Sequence, residues 1–313
     1  MTLAHWDDVA KHPQSRRGRS GTWSGLGTAA GAVGVGLNRI ELAPGEVSTP
    51  AHAHLGDEEI FFVLGGSGLL WQDGATCEVR TGDAIVHRAR GAAHTLRGGD
   101  GGLDVLAFGL RAAVGGAFLP RVGGYWLAAP DAWLDVNPGV NPFDREPNLD
   151  WPEPGERPRN VVNVDEVEGD FGGLWKRLAR EAGATRSGLN WGHLPPHEEG
   201  APPHCHSVEE EIYVVLAGEG TLELWGRPRP GAPFQSEPEE THPLRAGHVV
   251  SRPAGSGISA CLRTGDAEMT YLAYGTRDPA DACYYPRSNK VALRGLGLIA
   301  RVEPLAYDDG EPG

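Results

Sequence analysis

The chain has 313 residues, a length that suits two domains, and its 40% of hydrophobic residues is enough to fill two modest cores. A formal charge of −14 repels polyanions over most of the surface, which argues against nucleic acid and anionic membranes as partners. The 46 glycines and 25 prolines, beside two methionines, point to tight turns and short strands rather than long helices.

From the N-terminus, "MTLAHWDDVAKHP" lacks the apolar core of a secretory signal, and no apolar run reaches the roughly 18 residues of a membrane span. A cytoplasmic location is therefore expected. The four cysteines (Cys77, Cys205, Cys261 and Cys283) form no CxxC pair and should stay reduced there. The basic stretch "KHPQSRRGRS" (11–20) reads as a solvated tail, and "SGLGTAAGAVG" (24–34) as a glycine-broken helix at best.

Next comes "HAHLGDEEIFFVLGG" (52–66), and 152 positions later "HCHSVEEEIYVVLAG" (204–218) repeats the figure: His-x-His, four residues, Glu, six residues, Gly. The repeat is wider than that. At the same offset Trp23 meets Trp175, and "GLN" at 36–38 meets "GLN" at 188–190. Further on the offset becomes 166, where "LRGGDGGLDVLAFGLR" (96–111) matches "LRTGDAEMTYLAYGTR" (262–277). The added length falls in "GRPRPGAPFQSEPEETHP" (226–243), which reads as a surface loop between strands. The chain is thus a tandem duplication, with one unit in 1–128 and another in 161–313. The proline-rich 129–160 reads as an extended linker strapped over a surface.

Within each unit, "EEIFFVL" and "EEIYVVL" are β-rich and end at Gly, and "GLLWQDG" and "GTLELWG" follow as hairpin partners. "DAIVHRA", "HVVSRPA", "LDVLAFG" and "MTYLAYG" continue a series spaced for a sandwich or barrel. One stretch looks helical: "GGLWKRLAREAG" (172–183), with Leu174, Trp175, Leu178 and Ala179 on one face.

Side chains at i and i+2 of a strand share a face, so His52 and His54, and likewise His204 and His206, can turn toward one ion. Glu59 and Glu211 on the next strand supply a carboxylate, while alternation turns Glu58 and Glu210 away. His94, at the end of "GDAIVHRARGAAH" (82–94), is placed to complete the first set. Imidazoles with a carboxylate suit a divalent transition metal such as Fe, Mn, Ni or Zn. Phe61 and Tyr213 follow the two glutamates on the same face and are candidate walls of a small-molecule pocket.

These residues resemble the cupin superfamily, and the duplication resembles a bicupin. The first motif matches throughout in both copies. The second is matched loosely by "GDAIVHRARGAAH" and in its first part by "GHVVSRPAG" (247–255). The resemblance implies an all-β fold of two tandem double-stranded β-helix (jelly-roll) barrels with short helical segments. It implies ligands at His52, His54, Glu59 and His94, and at His204, His206 and Glu211. The second set lacks its fourth member, because the matching position is Ile258 by the motif or Ala260 by the repeat. One metal per chain is expected, with two as the alternative. Cys205 and Cys261 are expected to be inert packing. By analogy, the function is that of a metal-binding bicupin enzyme acting on a small organic molecule, with dioxygenase-like oxidation favoured. The alternatives are a non-catalytic binding or storage-like bicupin and a metal-dependent sugar isomerase or epimerase. Assembly into a homo-oligomer is left open.

Overall fold

The computed structural model describes residues 1–16, 19–111, 115–127, 132–134, 148–228 and 235–311. Two eight-stranded sheets and two four-stranded sheets account for nearly all of the secondary structure. The first barrel is built on the long antiparallel pair of Glu59–Gln72 with His94–Leu110, flanked by Val35–Leu42 and Asp83–His87. The second repeats this with Glu211–Trp225, Met269–Thr276, Ser187–Leu194 and His248–Arg252.

Alternation along the central strands divides two cores. Phe61, Val63, Leu70, Ile85 and Val105 fill the first barrel, and Tyr213, Val215, Leu222, Val250 and Tyr271 fill the second. The intervening side chains face the other barrel. Ile60, Phe62 and Phe108 pack with Ile212, Val214 and Tyr274 in one shared core, where the Phe108 and Tyr274 rings stack at 5.0 Å.

Boundaries drawn from the sequence at 128 and 160 are crossed at both ends. Thr2–His5 adds to the second barrel along His248–Ser251, and Val161–Asn163 adds to the first along Asp83–Ile85. Each repeat thus lends its leading strand to the other barrel. The strap reading can be followed over 148–160, where Thr76 Oγ1 donates to Pro152 O at 2.6 Å and Arg97 lies over the Trp151 ring. The strap also carries a strand, Ala132–Leu134, while 135–147 lies outside the described residues.

Two local expectations need correction. The helix read over 172–183 reduces to Leu178–Glu181, because Gly172 and Gly173 take positive φ (71° and 94°) and Trp175–Lys176 joins a sheet edge. The first repeat has its own counterpart helix at Leu26–Ala29. The loop read over 226–243 is shorter, since Glu240–Arg245 already pairs with Glu219–Leu224; residues 229–234 lie outside the described set. No helix among the described residues is long and apolar enough to cross a membrane.

The glycines that end the two matching stretches are required by the backbone. Gly66 (φ 77°) and Gly218 (φ 74°) sit where a Cβ would run into the carbonyl oxygens of Gly102 and Glu268. Gly66→Ala and Gly218→Ala are each expected to cost about 2–4 kcal/mol in chemical unfolding. Gly65→Ala, whose Cβ would meet nothing within 4 Å, should change little.

Candidate metal centre

His52 and His94 face each other across the first barrel through paired backbone hydrogen bonds, His52 N to His94 O at 3.2 Å and His94 N to His52 O at 3.0 Å. His54 lies in the short strand Ala53–His54, and Glu59 opens the long central strand. Ligand atoms of His52, His54, Glu59 and His94 all lie within 4.8 Å of one another, so the four residues singled out in sequence converge. Glu59 Oε2 accepts from His54 Nε2 and His94 Nε2, both at 3.1 Å. His52 Nδ1 donates to Pro50 O at 2.9 Å, which leaves Nε2 as its unengaged nitrogen.

The electrostatics suit cation binding. Burial, together with the neighbouring His94 and His54, pushes the His52 pKa down to about 3, so its imidazole is neutral at physiological pH. Burial raises Glu59, but the His54 charge and the hydrogen bonds from His54 and His94 outweigh it and hold the carboxyl well below the usual range. His54 is lowered by burial and raised more strongly by Glu59, for a net rise.

Phe61 forms an inner wall, its ring edge-on to His87 at 5.3 Å and to His94 at 5.8 Å. His87 had no role assigned in sequence. It faces Glu59 across the sheet, stacks on His94 at 3.4 Å, and leaves its buried Nε2 without a hydrogen-bond partner. Strand alternation was the available signal, because His87 sits directly opposite Glu59. Beyond His87 lies a pocket of about 380 Å³ lined also by Gln72, Arg88, Arg159, Asn160 and Glu181.

The second barrel brings His204, His206 and Glu211 together, with His204 Nε2 and His206 Nε2 each 3.7 Å from Glu211 Oε2. His204 bridges to Ala260 as His52 bridges to His94, which settles the missing position as Ala260 rather than Ile258. The centre holds two residues that sequence reasoning missed. Cys283 stands beside His206, and its Sγ lies within 4.8 Å of ligand nitrogens of both histidines; the 166-residue offset could have found it, since it puts Cys283 on Ala117, which likewise pairs with His54. Arg252 takes the place of His87, paired across the sheet with Glu211. Its guanidinium donates to the Glu211 carboxylate and the Tyr213 hydroxyl, so the hydroxyl of that candidate wall residue is already engaged. Burial raises Glu211, and Arg252 with the two histidines outweighs it for a net fall. Cys205 and Cys261 are buried, and Cys261 Sγ lies 3.3 Å from Ala201 O.

The geometry agrees with comparisons to known proteins. The family model described as "Cupin domain" matches residues 38–106. No curated protein sequence matches the chain. Among solved structures, an oxalate decarboxylase of Bacillus subtilis, studied for its Mn(II) centres, is similar at 14% identity and a TM-score of 0.59, over 90% of this chain and 78% of that one. The Lactobacillus farciminis oxalate decarboxylase in its formate complex is similar at 13% identity and a TM-score of 0.58, over 91% and 88%. Two jelly-roll barrels carrying His-x-His and Glu on matching strands define a duplicated cupin fold. Residues 38–106 match the cupin family model, and the chain as a whole has the fold of the two-barrel structures it resembles.

Proposed function

We propose that the first barrel holds one divalent metal ion on His52, His54, Glu59 and His94 and catalyses a reaction of a small carboxylate- or enolate-bearing molecule. The observation that carries this reading is the convergence of three imidazoles and one buried carboxylate within 4.8 Å. Three imidazole nitrogens and one carboxylate oxygen leave positions on a six-coordinate ion for substrate. When bound, the metal supplies Lewis-acid polarisation of a substrate oxygen. Pro50 O orients His52, and Glu59 provides the negative charge that offsets the cation. Phe61 keeps the inner side apolar, and His87 separates His94 from the pocket beyond it. Arg88 and Arg159 on that pocket favour an anionic molecule.

Two reaction types follow from such a centre: oxidation by oxygen, and carbon–carbon cleavage of a small dicarboxylate of the kind the structurally similar decarboxylases act on. Protein of measured metal content, offered oxalate, malonate, 1,3-dicarbonyls, catechols and flavonols, should turn over at least one of them, with either oxygen uptake or carbon dioxide release. Oxygen consumption assigns the first type, and carbon dioxide release without it assigns the second. Fully loaded protein inert to all of them would instead favour a binding bicupin.

A further inference from the structure

The two centres share a plan and differ in what occupies the middle. In the first, position 87 is a histidine that leans against His94. In the second, the strand-pair equivalent is Arg252, 4% exposed, whose side chain runs into the space between the histidines and the glutamate. Its Nη1 lies 3.2 Å from His204 Nε2 and is hydrogen-bonded to both Glu211 Oε2 and the Tyr213 hydroxyl, while Nη2 donates to His204 O at 2.6 Å. Two of these atoms, His204 Nε2 and Glu211 Oε2, belong to the family-type ligand set. The Glu211 oxygen that lies 3.7 Å from both imidazoles is the one the guanidinium holds. Arginine cannot give up its charge in a protein and offers no lone pair, so it can neither ligate nor step aside by deprotonation.

We propose that Arg252 is the resident cation of the second centre and that this centre takes no metal ion. Its positive charge neutralises the buried Glu211, the task a metal would otherwise perform, and holds the barrel mouth together through Tyr213 and the His204 carbonyl. The family-type ligand set His204, His206 and Glu211 is thereby converted from a metal site into a structural ion-pair network. Loss of the fourth ligand at Ala260 is the companion change. The inference stands apart from the reading of the first centre, since it concerns the difference between the barrels.

The test counts metal ions per chain in full-length protein equilibrated with Mn(II) or Co(II) and freed of excess by gel filtration. His204→Ala and Glu211→Gln should leave the wild-type count unchanged, whatever that count is. Arg252→Ala, and Arg252→His combined with Ala260→His, should each raise it by one ion per chain, and adding His204→Ala should remove the gain. Arg252→Lys, which keeps a charge, should gain none. Loss of an ion from the otherwise wild-type protein on His204→Ala overturns the proposal. So does a folded Arg252→His/Ala260→His variant, judged by its thermal transition, that binds no additional ion. Should changes at 252 abolish folding, the wild-type comparison with His204→Ala decides alone. A defect of the first centre is read separately, as a wild-type count that His52→Ala does not lower.

Discussion

Glu59→Gln and His52→Ala each weaken divalent-metal binding by the first barrel by at least about 100-fold, measured by titration calorimetry or elemental analysis after dialysis. Glu59 carries the larger burden. Its Oε2 is shared by His54 and His94 at 3.1 Å, so the amide variant keeps the shape but loses the charge that offsets the ion and orients both rings. His52 contributes differently. Its Nδ1 is tied to Pro50 O and its pKa is pushed down to about 3 by burial and the adjacent histidines, so its other nitrogen keeps a free lone pair. Truncating it removes one ligand without disturbing the Glu59 hydrogen bonds, so the folded state should persist while binding fails. Activity on any substrate found should fall in parallel with metal content. Retention of tight, stoichiometric metal binding in both variants would remove the basis for the first centre.

The ligand set of the first barrel was legible because strand alternation and a repeated spacing carry the information locally. His52, His54 and Glu59 lie within eight positions of one another, and His94 closes the set through a backbone bridge to His52. The same alternation correctly sends Phe61 and Val63 into the barrel and Ile60 and Phe62 toward its neighbour. Where the sequence misled, the missing fact was long-range. Leu174, Trp175, Leu178 and Ala179 look like one helix face, yet Trp175 packs toward the second barrel's core while Leu178 and Ala179 enter the core between the barrels. The chain serves both because Trp175–Lys176 is extended and the helix begins only after Arg177. Arg252 was hidden because "GHVVSRPAG" was compared with a motif rather than with "GDAIVHRA"; aligning the two strands sets Arg252 on His87 and points it inward. The exchanged leading strands were beyond reach, since nothing local in Thr2–His5 or Val161–Asn163 says which barrel will pair with it.

The second large effect is expected between the barrels. Glu58 and Glu210, which alternation turns away from the centres, are 1% and 5% exposed. Each grips a turn of the other repeat. Glu58 accepts from the backbone N–H groups of Thr185, Arg186 and Ser187 and from the Ser187 hydroxyl at 2.6 Å. Glu210 accepts from Val33 N at 2.8 Å and Gly34 N at 2.6 Å. At the 152-residue offset Val33 and Gly34 match Thr185 and Arg186, so the two clasps are related by the same pseudo-symmetry as the barrels. A hydrogen bond to a charged group is worth about 1.5–3 kcal/mol, and each buried carboxylate accepts at least two. Glu58→Ala should therefore lower stability by about 3 kcal/mol, with Glu210→Ala similar and somewhat smaller because it has fewer donors. Glutamine at either position should cost less than alanine, since its carbonyl can still accept while its NH₂ faces donors. The clasps share no residues, so the double alanine variant should approach the sum. It should also separate denaturant unfolding into two transitions, as the barrels lose the contacts that make them unfold together. Single variants within about 0.5 kcal/mol of the parent, the range expected of a surface change, would show that the shared core around Phe108 and Tyr274 holds the barrels without the carboxylates.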